Sequence, residues 1–262
     1  MKFSKSHLRN PENRKDLNTF HREVLRKYSK LINGSLPDDY DFAVKFLLWM
    51  NEYYELFTNE DTFSSTYLPS YERGQIVLVN LGYRIGYELG GAHYGVVLDN
   101  DNRKKSGLIT IVPFVSKKKK HLDKGLKPWE YELPFPISFL IRNKAIELTG
   151  KLAESPILDE LVKIVMKNKG DFEARRKELE ERFSRHYEMN IEPLLALAPK
   201  FDKGSIVDVQ QILTVSKQRI ITPIRRSDAL FGVRIPDDSL KEIDHLIIKQ
   251  YIKNTAESLD KA

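Results

Sequence analysis

A glycine-rich loop between two predicted strands holds the side chains best suited to chemistry. It runs from Gly82 to Tyr94. His93 can act as an acid or a base, because imidazole titrates near neutral pH. The glycines before it permit close approach of a phosphate to the backbone. Arg84 and Tyr87 are candidates for contacts to a phosphate and a stacked base. The alternative is that they are solvent-exposed loop residues without a binding role.

Several catalytic classes are excluded by what the sequence lacks. Cysteine is absent, so thiol catalysis and a disulfide framework are impossible. The glycine-rich loop is not followed by Lys-Ser/Thr and a helical pattern, which excludes a phosphate-cradling Walker loop. No metal-ligand spacing joins the remaining histidines, which are His7, His21, His121, His186 and His245. We therefore expect neither a metal nor another cofactor.

The charge balance favours an acidic partner. The net charge is +6 and the isoelectric point is about 9.2. Four consecutive lysines, Lys117 to Lys120, strengthen this expectation, although such a run is often only a solvated loop. The polar first residues, Met1 to Asn13, do not form a secretory signal. The longest apolar run, Phe46 to Met50, is too short to span a bilayer, so we expect a soluble cytoplasmic protein without membrane contact.

The predicted secondary structure that must position these residues changes from helices to strands along the chain. Apolar residues at three-four spacing predict helices over Leu17–Ile32 and Asp39–Phe57. From Gly74 the pattern changes to β-branched runs, which predict strands over Gln75–Leu81, Gly95–Asn100 and Leu108–Val115. Short strands bounded by glycines are typical of a small curled sheet or barrel.

The second half returns to helices before the strands resume. Helices are predicted over Asp159–Asn168 and Asp171–Tyr187, and strands over Ser205–Ile212 and Arg219–Pro223. A closing helix follows Pro236-Asp237-Asp238, with Ser239 and Glu242 in a capping-box pattern.

The strand-rich blocks resemble the PemK/MazF family of toxins. The Glu88 loop, Gly86-Tyr87-Glu88-Leu89-Gly90-Gly91, is similar to the family's Gly-Ser-Glu-Gln-Gly-Gly. The strand Ile109-Thr110-Ile111-Val112-Pro113-Phe114-Val115-Ser116 is similar to its Val-Thr-Val-Val-Pro-Ile-Thr-Ser. Three further runs match in the same order, namely 73–81, 96–101 and 209–220, and the closing helix has a counterpart in the same place.

The resemblance implies a fold and an activity. The fold class is α+β: a small, closed, SH3-like β-barrel of the CcdB/PemK type, split by a helical insertion. The predicted division is an N-terminal helical extension (1–70), the first part of the barrel (71–120), the helical insertion (121–203), and the second part with the C-terminal helix (204–262). The implied function is a metal-independent endoribonuclease toxin that cleaves single-stranded RNA through 2′-hydroxyl attack. The implied partners are an acidic antitoxin and a second copy in a homodimer.

The resemblance also assigns roles to residues. Glu88, His93 and Ser116 are the catalytic candidates. His93 stands where the family has Arg, Tyr94 where it has Pro, and Val115 where it has Thr, with Ser116 directly after it. The substrate-binding candidates are Arg84, Tyr87, Tyr94, Thr110, Gln211, Thr214, Lys217 and Arg219.

These departures leave two interpretations open. In the first, His93 transfers protons and Ser116 or Thr110 supplies a hydroxyl donor. Since neighbouring strand residues face opposite sides, Ser116 reaches the site only where the strand ends or bulges. In the second, the barrel is catalytically silent and binds nucleic acid or a protein target, as the fold relative CcdB binds gyrase. The sheet-edge residues Gln211, Lys217 and Arg219 line a groove if strand alternation holds, and are otherwise ordinary edge polar residues.

Overall fold

The computed structural model describes residues 3–153, 177, 181, 184–185 and 187–252. The chain forms two compact units, Met1–Asp61 and Thr62–Ala262. Within the described ranges, no helix is long and apolar enough to cross a membrane. The proposed four-part division of the chain stays a prediction.

The first unit is helical, which confirms both helices predicted there. It contains α1 (Lys5–Arg9), α2 (Arg14–Ser35) and α3 (Tyr40–Thr58). The carboxylate of Asp39 accepts a hydrogen bond of 3.0 Å from the Phe42 amide and so caps α3. Helices α2 and α3 pack through the rings of Tyr28 and Phe46, whose centroids lie 5.8 Å apart.

The second unit is built on a seven-stranded antiparallel sheet. Its pairing order is β4-β5-β3-β2-β1-β7, and β6 also pairs with β3. The strands are β1 (Ile76–Asn80), β2 (Ala92–Val97), β3 (Leu108–Ser116), β4 (Glu130–Glu132), β5 (Ser205–Asp208), β6 (Leu213–Ser216) and β7 (Ile220–Thr222). Strands from before and after the insertion therefore pair directly, as predicted, through β1–β7, β3–β5 and β3–β6.

The α+β class is confirmed, whereas closure of the barrel is not. Strands β4 and β7 stand at the two ends of the sheet, and no pairing among the described residues joins them. Strand β7 has three residues, and its register against β1 shifts between Leu78 and Val79. The ladder continues across this shift, and the sheet is open because β4 and β7 do not pair in the described part of the chain.

The predicted helical insertion is a mixture of helices and one strand. It contains α4 (Lys119–Lys124), which begins two residues before residue 121, then β4 and α5 (Ile137–Ala153). A later helix, α6 (Glu192–Leu197), leads into the 3-10 turn Ala198–Phe201. The predicted helix Asp159–Asn168 and most of Asp171–Tyr187 lie outside the described residues.

Both faces of the sheet are covered by apolar core. On β1, Ile76 belongs to one buried cluster and Val77 to the other, because successive strand residues point to opposite faces. The first cluster also contains Ile141 of α5 and Leu194 of α6. The insertion therefore shares a core with the strands, and its helices stabilise the same sheet that carries the glycine-rich loop.

The closing helix, α7 (Asp237–Tyr251), begins two residues before the predicted capping box. Pro236 occupies the N-cap position, and no side-chain capping bond forms there. Ser239 lies inside the first turn and is buried, so the prediction that Ser239 and Glu242 cap this helix is wrong.

Candidate active site

A cavity opens where strands β2 and β3 separate. Their pairing runs from Val97↔Ile111 to Gly95↔Pro113, and beyond Pro113 strand β3 pairs with β5. The space above Gly95 is filled, since an added Cβ would lie 2.9 Å from Ile111 Cδ1. Past this point the residues that precede Gly95 and those that follow Pro113 form facing walls.

The cavity brings two of the three catalytic candidates together. His93 comes from the β2 wall and Ser116 from the β3 wall. Two lysines, Lys118 and Lys200, lie in the same lining. The full lining is Ala92, His93, Tyr94, Phe114, Val115, Ser116, Lys118, Lys200, Phe201 and Ser205.

The His93 ring is half-buried, and this sets its protonation. Burial is the largest influence and lowers the pKa of His93, and the charge of Lys118 lowers it further. The backbone of Gly90 and of Phe114 acts in the opposite direction and raises the pKa. The imidazole is therefore mostly neutral at pH 7, which is the form that accepts a proton.

Ser116 and Tyr94 complete the walls beside His93. Ser116 is the last residue of β3, is exposed and lines the cavity, but it still pairs in register with Ser205 of β5, so the strand neither ends nor bulges before it. The Tyr94 ring stacks on Phe114, with centroids 6.1 Å apart, and meets Phe201 edge-on at 4.6 Å. Burial raises the pKa of Tyr94, so its phenol stays protonated at neutral pH.

Glu88, the third catalytic candidate, is held elsewhere in the described structure. Its Oε2 lies 2.8 Å from Nε of Arg84, and it does not line the cavity. The hydrogen bond and the charge of Arg84 lower the pKa of Glu88, which is exposed. Tyr87, one residue before it, is fully exposed. The loop thus presents an ion pair and an aromatic ring to solvent.

Residues 72–170 match the family model of the PemK-like, MazF-like toxins of type II toxin–antitoxin systems. Residues 72–170 are called the PemK/MazF-type region below, after this similarity. This region includes β1 to β4 and α5, and therefore the loop, His93, Ser116 and Lys118. It runs on into the insertion and ends before β5, so the late run 209–220 lies outside it. No curated protein matches the chain.

The similarity of this region to a toxin family supports a toxin role, and that family implies an antitoxin protein as partner. The cavity is the part of the PemK/MazF-type region in which acid–base, hydroxyl and cationic side chains meet. Among the described residues, no group of three His, Asp or Glu side chains is arranged to hold a metal ion.

Gln211 contacts the loop of the PemK/MazF-type region instead of lining a groove. Its Oε1 accepts a 3.0 Å hydrogen bond from the Leu89 amide. Its Nε2 donates a 3.1 Å hydrogen bond to the Tyr87 carbonyl. One side-chain amide from the late segment thereby holds both sides of Glu88.

The two threonine candidates pair with each other across β3 and β6. Their hydroxyl oxygens lie 2.9 Å apart at the register pair Thr110↔Thr214. Neither lines the His93 cavity in the described structure. Of the two predicted hydroxyl donors, Ser116 therefore lines the cavity with His93 and Thr110 does not.

The structure contradicts the prediction that Lys217 binds substrate, because Lys217 is buried and cannot line a surface groove. Only 1% of it is exposed, and Nζ donates a 2.8 Å hydrogen bond to the Arg103 carbonyl. The ammonium also lies 5.4 Å from the centroid of the Tyr71 ring, and burial lowers the pKa of Lys217. Arg219 ends the same 3-10 turn, half-buried and outside the cavity lining.

Lys200 was not predicted from the sequence, although it lines the cavity. It lies far along the chain from His93 and outside the matched region, in a 3-10 turn without a motif. Lys118 belonged to the lysine run that favoured an acidic partner. Its neighbour Lys117 has a different role, since Nζ pairs with Glu132 Oε1 at 2.7 Å.

Proposed function

We propose that this protein is a toxin that cleaves single-stranded RNA through attack by the substrate's own 2′-hydroxyl. One observation carries the proposal: a half-buried, mostly neutral imidazole of the PemK/MazF-type region shares an open cavity with a hydroxyl and two lysines. These groups supply what the reaction needs, which is a base, a hydrogen-bond donor and positive charge at the phosphate.

His93 is the proposed general base. Neutral His93 takes the proton of the 2′-hydroxyl, and the 2′-oxygen attacks the adjacent phosphorus. The bond from phosphorus to the 5′-oxygen breaks, and the leaving oxygen takes a proton from solvent. The products are a 2′,3′-cyclic phosphate and a 5′-hydroxyl end. Ser116 donates a hydrogen bond to a phosphate oxygen, and Lys118 offsets the charge that develops there.

The glycine-rich loop is the proposed contact for the rest of the RNA. The fully exposed Tyr87 ring offers a face on which a base can stack. Arg84 and Glu88 form an ion pair at the surface, and a phosphate that approaches Arg84 would compete with the carboxylate. Glu88 would then act as a second acid–base group only after this ion pair opens.

The resemblance carries the remaining parts of the proposal. They are an SH3-like architecture of the sheet, the division of the chain into four parts at residues 70, 120 and 203, and a cytoplasmic location. They also include a homodimer and an acidic antitoxin, whose carboxylates would complement the net charge of +6. Light scattering of the purified chain, alone and with a candidate acidic antitoxin, tests the assembly directly.

Binding without cleavage is the second candidate function. The observation that favours it is the position of Glu88, which pairs with Arg84 and lies outside the cavity lining. A silent barrel of this kind would bind single-stranded RNA or a protein through the same basic surface.

Cleavage and its product ends decide between the two functions. Purified protein, free of antitoxin, is incubated with mixed single-stranded RNA in EDTA. The proposal expects fragments with cyclic-phosphate and 5′-hydroxyl ends. Stable binding of intact RNA would support the silent module, and 5′-phosphate ends would exclude 2′-hydroxyl attack.

A further inference from the structure

The insertion contributes a lysine to the cavity of the PemK/MazF-type region. Lys200 lies in the 3-10 turn Ala198–Phe201, which follows α6 and precedes β5. It lines the same cavity as His93 and Ser116. A residue from outside the matched region thus forms part of the candidate active site.

The turn that carries Lys200 is anchored to the walls of the cavity. Phe201 is buried, and its ring meets Tyr94 edge-on at 4.6 Å and Phe114 at 6.3 Å. Ala198 is also buried. These contacts anchor the backbone on both sides of Lys200 beside the cavity.

The charge of Lys200 is available to a ligand. The side chain is exposed, and no carboxylate in the described ranges pairs with it. Nearby cations differ in this respect: Lys117 pairs with Glu132 at 2.7 Å, and Arg142 pairs with Asp202 at 3.1 Å. Lys118, which follows the β3 wall, likewise has no ion pair in the described part of the chain.

The chemistry of the cavity requires such a cation. A neutral imidazole accepts a proton but brings no positive charge to a phosphate that gains negative charge during the attack. Of the described side chains that line the cavity, Lys118 and Lys200 are the ones that carry a permanent charge. A lysine ammonium acts as a point charge on a flexible stem and can follow a phosphate in an open site.

We propose that Lys200 binds the phosphodiester at the cleavage site, so that the insertion completes the RNA-cleaving site of the PemK/MazF-type region. The ligand class is a single-stranded RNA phosphodiester. This inference rests on the proposed function, and it assigns the insertion a direct part in substrate binding.

The test compares three variants on a single-stranded RNA pool. Lys200→Ala is expected to lower kcat/KM by about ten- to a hundredfold, as the loss of a charged hydrogen bond does. The salt dependence of RNA affinity should become shallower by about 0.7 in logarithmic slope, because one phosphate contact is lost. Lys200→Arg keeps the charge and should recover most of the activity.

Lys203→Ala is the matched control, since Lys203 is exposed, three residues further on, and outside the cavity lining. It should behave as the parent does, and circular dichroism confirms that each variant is folded. Equal rates and equal salt slopes for Lys200→Ala and Lys203→Ala, with an active parent, would overturn the inference and leave the proposed function standing.

If the parent cuts no RNA, the proposed function fails, and the same variants are then compared for RNA binding. Weaker binding by Lys200→Ala alone would support the phosphate contact. Equal affinities of Lys200→Ala and Lys203→Ala would overturn it.

Discussion

The amide of Gln211 fixes the loop that carries Glu88, and its removal should release that loop. Gln211→Ala deletes two hydrogen bonds, one of 3.0 Å from the Leu89 amide and one of 3.1 Å to the Tyr87 carbonyl. Each such bond contributes about 0.5–1.5 kcal/mol net, so the pair contributes about 1–3 kcal/mol. Loop opening should become about 5- to 140-fold more favourable, since a factor of ten corresponds to about 1.4 kcal/mol.

Amide hydrogen exchange at Leu89 measures this opening directly, because its N–H donates to Gln211. Gln211→Ala should accelerate exchange at Leu89 by the factor above, while amides in the centre of β1 keep their protection. The rate of RNA cleavage should fall as well, because the loop would less often hold the position in which it contacts RNA.

Gln210→Ala is the matched control. Gln210 is exposed, and its hydrogen bond to Asp208 uses the backbone amide, which the substitution keeps. Unchanged exchange at Leu89 in Gln211→Ala, or equal acceleration in both variants, would refute the claim that Gln211 holds the loop.

Three further outcomes follow from the structure. Lys217→Met should leave RNA affinity unchanged in a binding titration, because Lys217 is buried, whereas Lys118→Met should weaken it. Gly95→Ala should lower the free energy of unfolding by about 1–3 kcal/mol through overpacking, since the new Cβ would lie 2.9 Å from Ile111 Cδ1. Gly107→Ala should not lower it in this way, because the space around Gly107 is open. The cleavage rate should stay level above pH 6.5, the usual pKa of histidine, and fall as the pH drops through the lowered pKa of His93. The reason is that the protonated ring cannot accept a proton. His93→Gln should abolish this decrease on the acid side of the pH–rate profile.

Local patterns predicted the elements that are regular over a sufficient length. Helices α2 and α3 follow from apolar spacing, and β1 to β3 follow from β-branched runs bounded by glycines. Strand β4 was missed, because three residues between prolines give no measurable period. The helix α5 was missed as well, although Ile137, Ile141, Ala145 and Leu148 recur on one face at the three-four spacing.

The misplaced site residues share one physical cause. Gln211 and Lys217 were assigned to a groove on the assumption of uninterrupted strand alternation. The structure instead has two 3-10 turns, Val209–Gln211 and Lys217–Arg219, on either side of β6. Each turn changes the direction of its side chains, so Gln211 contacts the glycine-rich loop and Lys217 is buried in the core.

The cavity itself depends on tertiary contacts that no short motif encodes. His93 and Ser116 could be proposed from the run of residues around them. Lys200 could not, because its approach to His93 depends on Phe201 packing against Tyr94. Such contacts between distant segments become visible only when the fold is known.

The most direct test of the central claim is the single-turnover cleavage rate of His93→Ala beside that of the parent, on an RNA that both bind. If His93 is the general base, the rate should be lower by about a hundredfold to ten-thousandfold, with RNA affinity nearly unchanged and the fold intact by circular dichroism. A folded His93→Ala protein that cuts RNA at the parent's rate would contradict the proposed role of His93.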